Sequence, residues 1–227
     1  MAKISNSNPA HPNPLSRERI IHTALRLVDE GGIESLSMRR LAQELGVKAM
    51  SLYNHVANKD DLLDGIVEMV VSEIEIPDLD INWKISMQRR ATSAHEVLLR
   101  HPWATMLLVS RVNVGSAMLR YVDATLGCLY EAGFSLEMAD HARNAIDSHI
   151  YGFTLQEQNF PFKTTEYSEA AAAGLSLIPA DKYPHLNRLT HYVIQGRYNG
   201  IHDFEFSLEL ILDGLEKLRD VATPQEK

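Results

Sequence analysis

The chain has 227 residues, 45% of them apolar, which is enough for one large domain or two smaller ones with a sizeable core. Its formal net charge of −8 excludes a protein that coats nucleic acid or membrane with its whole surface, but it allows a local basic face. Cys128 is the only cysteine, so no disulfide forms within the chain, and no apolar run reaches the roughly 18 residues of a membrane span. We therefore expect a cytoplasmic protein that has no contact with a membrane.

The N-terminal residues 1–14 are polar and rich in proline, which predicts a disordered arm rather than a secretory signal. From Ser16 onward the spacing of apolar residues is helical, and the Gly31-Gly32 pair ends the first helix. No pattern typical of a strand persists anywhere along the chain. The sequence therefore predicts an all-α protein.

The next helices are short and clearly bounded. Ser37 is a good N-cap for a second helix that ends at Gly46, and a third helix covers about 48–54. Asn58 caps a fourth helix with a wide apolar stripe, and Pro77 blocks any continuation of that helix. We place a domain boundary near this proline.

Beyond the boundary, the pattern predicts helices at 83–100, from Pro102, and at 115–132, 135–160, 183–195 and 203–220. Residues 161–182 are expected to form a mobile loop with one short helix, because they combine prolines with an alanine-rich patch. The total expected is about nine to ten helices.

Residues 41–63 contain two short apolar segments joined by Gly46, which is the pattern of a helix-turn-helix. Such a unit places its second helix in the major groove of DNA while the first contacts the backbone. The same pattern also fits a purely structural helix pair, with Tyr53 half buried in a core and the basic residues on a solvated face. Residues 37–59 set four basic residues against the single acid Glu44: Arg39, Arg40, Lys48 and Lys59.

The segment LAQELGVKAMSLYNHVANKDDLL closely resembles the N-terminal domain of the tetracycline-repressor (TetR) family, with its pattern LA..LGV….LY.H…K..LL. The resemblance covers residues 19–66 and implies a three-helix DNA-binding domain at 15–75. By position, it implies that Arg39, Lys48 to Ser51, Asn54 and His55 face base edges, while Tyr53 and Lys59 bind phosphates. The full DNA-binding set is Arg39, Arg40, Lys48, Ala49, Met50, Ser51, Tyr53, Asn54, His55 and Lys59.

The segments LLRHPWATMLL, LYEAGFS and FEFSLELILDGLEKL resemble the regulatory domain of one branch of the same family. This looser resemblance implies a larger helical domain at 76–222 that binds a ligand and forms a homodimer through a four-helix bundle. The last helix has a wide apolar stripe that fits such a contact, although it equally fits a helix buried in a single core. The residues assigned to the dimer interface are Phe204, Leu208, Ile211, Leu212 and Leu215.

A pocket enclosed by the helices between 84 and 160 is expected to hold a mostly apolar small molecule with one or two polar groups. Each candidate lining residue also fits an ordinary place in the core or on the surface. The candidates are Met87, Arg90, His95, Met106, Met118, Tyr121, Tyr151 and Gln156.

The resemblance does not extend to the drug site of the family's namesake. Its magnesium-tetracycline contacts fall on Leu108, Arg90, Ala94 and Ile74 or Glu75, and Glu157 alone matches. We therefore expect an effector other than magnesium-tetracycline. No HxxxH or CxxC spacing occurs, so no metal site and no cofactor is expected.

Together with the family resemblance, these features predict a dimeric, ligand-responsive regulator that binds double-stranded DNA at a near-palindromic operator. Our leading interpretation is a repressor that a small-molecule effector releases from the operator. An enzyme would have to use Asp140, His141, Asp147 and His149, but no nucleophile elbow or phosphate-binding glycine loop accompanies them. We expect no enzymatic activity. An activator, or a protein that uses the same helices to bind another protein, is the remaining alternative.

Overall fold

The computed structural model describes residues 14–162, 166–198 and 203–222, and within these ranges the chain is entirely helical. The all-α prediction is confirmed, and the described residues form eleven α-helices where about nine to ten were expected. Helix α6 corresponds to the helix predicted from Pro102, and α9 to the short helix predicted within 161–182. The helices are α1 (Arg17–Gly31), α2 (Met38–Leu45), α3 (Ala49–Leu52), α4 (Lys59–Ser72), α5 (Trp83–Arg100), α6 (Ala104–Ser110), α7 (Ser116–Glu131), α8 (Leu136–Gln158), α9 (Tyr167–Gly174), α10 (Pro184–Ile194) and α11 (Phe204–Ala222).

Polar side chains begin the helices where the sequence predicts caps. The Ser37 hydroxyl accepts a hydrogen bond from the Arg40 amide at 3.2 Å, and the Asn58 side chain accepts one from the Asp61 amide at 2.9 Å. Each bond satisfies an amide that has no partner within the first turn of its helix. The starts of α2 and α4 are thereby fixed.

The turn between α2 and α3 depends on Gly46, which has φ +69° and ψ 29° in the left-handed region that residues with a Cβ rarely adopt. Its amide donates to the carbonyls of Ala42 and Gln43 and closes the end of α2. The third helix is shorter than the predicted 48–54, because the His55 amide already bonds to the Leu52 carbonyl three residues back and tightens the chain into a turn.

The core is one continuous cluster of buried apolar residues that runs from the N-terminal helices into the rest of the chain. Helix α4 lies in its middle, packed against α1 on one side and against α6 and α7 on the other. Ile66 and Val70 of this helix have no exposed surface. A displacement of α4 would therefore disturb its packing both with the helices before it and with those after it.

Helices α5 and α8 pack against each other, and α11 contacts both of them. Helices α9 and α10 form a separate pair. In the described part of the chain no helix is both long enough and apolar enough to cross a membrane.

Candidate DNA-binding surface and ligand pocket

Helix α3 and the turn after it present an outer surface that is anchored from below. Leu52 and Val56 are buried, whereas Met50 is 75% exposed and Tyr53 is 47% exposed. Tyr53 is therefore not a core aromatic. The buried leucine and valine hold the segment on the core while the side chains between them point to solvent.

The basic residues of this surface are available to a partner. Arg39, Lys48 and Lys59 are exposed, and the ion pairs found between described residues include none of the three. The remaining members of the predicted DNA-binding set also reach the surface. Arg40, Met50, Tyr53 and Asn54 are exposed, and Ala49, Ser51 and His55 are half buried.

A residue that the sequence analysis missed holds the turn after α3 in place. The Arg17 guanidinium donates to both carboxylate oxygens of Asp61, at 3.0 and 2.6 Å, and to the His55 carbonyl at 3.2 Å. Asp61 also accepts the amide hydrogen of Ala57 at 2.8 Å. The hydrogen bond from Arg17 lowers the pKa of Asp61, so the carboxylate stays ionised at neutral pH. No motif marks Arg17, because its partners lie 38 and 44 residues away in the chain.

The predicted dimer interface needs a correction. Leu208, Leu212, Leu215 and Phe204 are at most 8% exposed because they belong to the core of this same chain, where α11 packs on α5 and α8. Ile211 is only half buried. Side chains already buried in their own chain have little surface left to bury against a partner, so Phe204, Leu208, Leu212 and Leu215 are poor candidates for the interface, and only Ile211 of the predicted set stays a candidate.

The neighbouring edge of α11 carries a different apolar stripe. Phe206, Leu210 and Leu218 are 61%, 60% and 54% exposed and follow one another at helical spacing. On α8, an exposed face of small residues includes Ala145, Ser148 and Gly152. Small side chains let a helix backbone approach closely, and exposed apolar rows of this kind are typical of surfaces that bind another protein.

Two of the predicted ligand residues, His95 and Gln156, line a cavity of about 1000 Å³ between α8 and the start of α11. The His95 ring stacks on Phe204 with 4.2 Å between centroids, and the His149 ring stacks on the same phenylalanine at 4.8 Å. Burial lowers the pKa of His95. Its Nδ1 lies 2.8 Å from the Thr154 hydroxyl.

Three more, Met118, Tyr121 and Tyr151, line a second cavity of about 390 Å³, which lies between α7, α8 and the segment after α6 and is open to solvent. The other predicted ligand residues lie elsewhere. Met87 is fully buried in the core and Met106 is 53% exposed, and neither lines either cavity, which does not support a contact with a ligand there.

Arg90, the eighth candidate, lies behind the second cavity with no exposed surface. Its guanidinium donates to Asp147 and lies over the Tyr121 ring, 4.4 Å from the centroid. Burial acts to lower the pKa of Arg90, but Tyr121 and Asp147 outweigh it and raise the pKa, so the side chain stays charged. A cation in this place needs its carboxylate partner, because an unpaired buried charge is very costly.

Comparison with known proteins gives a consistent result for both parts of the chain. Residues 20–66 match the family described as bacterial regulatory proteins, tetR family, and residues 76–219 match the tetracyclin repressor-like C-terminal domain. The chain is 33% identical over 215 residues to the class C tetracycline repressor protein of Escherichia coli, covering 91% of this chain and 93% of that protein. It is 31% identical to the HTH-type transcriptional repressor DrrR1 of Streptomyces coeruleorubidus, covering 91% and 80%.

Solved structures show the same fold. Apo ActR from Streptomyces coelicolor superimposes with a TM-score of 0.80 at 28% identity, covering 93% of this chain and 99% of that one. ActR in complex with actinorhodin gives a TM-score of 0.77 at 29% identity, covering 91% and 99%.

Proposed function

This chain belongs to the TetR family of bacterial transcriptional regulators, and we propose that it is a dimeric repressor that leaves a near-palindromic operator when it binds a small molecule. In this proposal, residues 15–75 bind DNA, residues 76–222 bind the ligand and the second subunit, and the protein catalyses no reaction.

The observation that carries DNA binding is the exposed surface of α3 and its turn. Met50 and Tyr53 project from a segment anchored by buried Leu52. Arg39 and Lys59, which form no ion pair with any described residue, flank it with positive charge, although the chain as a whole is acidic. Polar and basic side chains on a rigid protruding element are suited to reading base edges and to contacting phosphates.

Dimer formation is supported by the exposed faces of α8 and α11. Phe206, Leu210 and Leu218 give one apolar row, and Gly152 lies on the small-residue face of α8. Two copies that pair through these faces bury apolar side chains that water otherwise contacts. A symmetric pair also presents two reading surfaces to the two halves of a near-palindrome.

Ligand response is supported by the 390 Å³ cavity and by the bound state of a relative, since ActR has been solved in complex with actinorhodin. The larger cavity is lined by Gly152 and Phe206, which the proposed dimer would cover. Magnesium-tetracycline is a poor candidate. Leu108, at one of the aligned drug-contact positions, offers no metal ligand. Arg90, at another of these positions, is a buried cation. Glu157, the one matching acid, lies 3.0 Å from the Nε2 atom of His95.

Selection of DNA fragments from a random library by the purified full chain tests the proposal. Enriched fragments that share an inverted repeat are the expected result. The double variant Arg39→Ala, Lys59→Ala should enrich nothing above background, whereas Arg89→Ala, which removes an exposed arginine from α5, should select the same fragments as the wild type. No enrichment by the wild-type chain would contradict DNA recognition.

A further inference from the structure

We propose that the 390 Å³ cavity between α7, α8 and the segment after α6 binds an aromatic organic acid, whose acidic group is held by Arg143 and Arg111. The inference rests on the proposed function, because it names the chemical class of the effector. It also identifies the contact through which the bound acid reaches α4.

The walls of the cavity suit a flat, mostly apolar body. Leu108, Met118 and Val122 supply aliphatic surface, and Tyr121 and Tyr151 supply rings. Burial raises the pKa of both tyrosines, so their hydroxyls stay protonated. The volume lies within the range of small-molecule sites, which are usually apolar with a few well-placed polar groups.

Three arginines at the cavity each keep at least one buried N–H that has no acceptor among the described residues. The Nε atoms of Arg90, Arg111 and Arg143 and the Nη1 atom of Arg90 are buried, and none of them donates to an acceptor among the described residues. Buried N–H groups left unpaired are rare in folded proteins, because each loses its hydration without compensation. Guanidinium groups are well suited to bind an oxygen-rich anion, and Arg111 and Arg143 line this cavity with Arg90 behind them.

The charge balance agrees with this. Arg111 and Arg143 line the cavity, Arg90 lies behind it, and Asp147 is the single acid among the lining residues. Asp147 is shared, since it accepts from Arg90 and, at 3.2 Å, from Arg143. The other acid on Arg143 is Asp140, whose side chain is 53% exposed, and solvation weakens that pair. Among the lining residues, two arginines therefore face one aspartate, and Asp140, Asp60 and Asp64, which also pair with these arginines, are more than half exposed.

Arg111 connects the cavity to α4. Its Nη1 atom donates to Asp60 at 3.0 Å and its Nη2 atom to Asp64 at 2.8 Å, and both acids belong to the helix that begins with Lys59. These carboxylates are 72% and 58% exposed, so an anion within the cavity can compete with them for Arg111. Binding of an acid then weakens the ion pairs that join Arg111, in the segment after α6, to Asp60 and Asp64 of α4.

Two fluorescent probes of nearly the same shape test the proposal on the full chain without DNA. 8-Anilinonaphthalene-1-sulfonate is an anion, and N-phenyl-1-naphthylamine is the same aromatic body without the sulfonate. We expect the wild type to bind the anion about tenfold more tightly, which is the scale of one charge-assisted hydrogen bond. Equal affinities for the two probes would overturn the proposal.

Substitutions locate the effect. Arg143→Gln and Arg111→Gln should each weaken binding of the anion about tenfold and leave the neutral probe unchanged. Retained binding of the neutral probe also shows that the variant is folded. Arg89→Gln makes the same charge change on the exposed side of α5 and should alter neither affinity. The proposal fails if Arg89→Gln weakens the anion as much as the other two, or if those two have no effect.

The competition at Arg111 has a test of its own. The double variant Asp60→Asn, Asp64→Asn removes both competing carboxylates and should strengthen binding of the anion by several-fold, with the neutral probe unchanged. An unchanged affinity for the anion would show that Arg111 does not exchange between α4 and the ligand. All these titrations omit DNA. Probe results that overturn the acid proposal therefore do not contradict operator binding. A failure of the DNA selection, in turn, does not contradict the preference for an acid.

Discussion

At the scale of single residues, Arg39 and Lys59 are both exposed and form no ion pair within the described part of the chain, but they are expected to act differently on DNA. Arg39→Ala should cost about 1–3 kcal/mol of binding free energy and relax the sequence preference at one position, because an arginine fork reads a guanine edge. Titrations of a selected operator and of its single-base variants, followed by fluorescence anisotropy, measure this.

Lys59→Ala should instead weaken binding to all sequences alike and reduce the slope of log K against log salt by about one unit, because a lysine at a phosphate releases counterions. The same anisotropy titrations at four salt concentrations measure the slope. An unchanged slope would mean that Lys59 does not contact a phosphate.

The carboxylate of Asp147 is expected to stabilise the fold because it neutralises the buried guanidinium of Arg90. Asp147→Asn leaves a fully buried guanidinium without its counter-charge and should cost about 3–5 kcal/mol of unfolding free energy. The double variant Arg90→Met, Asp147→Met removes both charges and should recover most of that loss. Urea unfolding at one fixed protein concentration measures both variants. A double variant as unstable as Asp147→Asn would contradict this explanation.

Residue roles were predictable where local chemistry decides them. The exposure of Lys48 and Asn54 follows from the residue type and from the helix-turn-helix pattern. Arg17 and the link from Arg111 to Asp60 and Asp64 were not predictable, because they join residues that are far apart in the chain and only the packing brings them together.

At the scale of elements, the turn between α2 and α3 requires a glycine at position 46. Gly46→Ala should destabilise the protein by about 1–2 kcal/mol, because its φ of +69° strains any residue with a Cβ. Gly127→Ala is the matched control. A Cβ there meets no atom within 4 Å, and in the middle of α7 alanine should stabilise by about 0.5–1 kcal/mol. Thermal unfolding should therefore give a lower Tm than the wild type for Gly46→Ala and a higher Tm for Gly127→Ala.

The outer edge of α11 is expected to hold the dimer together. Leu210→Asp places a charge in the apolar row and should raise the dimer dissociation constant about 30-fold or more, as at an interface hot spot. Sedimentation velocity over a range of concentrations measures it, with Leu119→Asp, on the exposed side of α7, as control. A Leu210→Asp protein that stays as dimeric as the control would rule out this face.

The elements themselves were largely predictable, because caps, glycines and apolar spacing define helix ends locally. Helix α5 begins and ends at the residues expected, and Ser135 caps α8 as predicted. The assignment on α11 failed for a physical reason. A wide apolar stripe leaves room for more than one contact, but it does not show which edge, Leu212 or Leu210, faces the chain's own core.

At the scale of the whole molecule, α4 connects the surface that carries Lys59 with the helices that enclose the cavities. Helix α4 shares one core with the helices before and after it, and Arg111 forms ion pairs with it. A small shift of the helices on one side of α4 is therefore costly unless the helices on its other side shift as well. A ligand can change DNA binding only if it binds one arrangement of the two α3 surfaces, the one that fits the operator or the one that does not, more tightly than the other. The sequence could not reveal this coupling, which depends on three-dimensional packing, but the family resemblance implied the two-part plan.

The central claim is that two copies present their α3 surfaces in the same direction, one turn of DNA apart. The most direct test is the affinity of the protein for its selected operator and for a derivative with about five base pairs inserted between the half-sites, which moves one half-site to the opposite face of the duplex. The expected result is a loss of about two orders of magnitude, because only one subunit then binds at a time. Equal affinity for the two fragments would contradict the paired geometry.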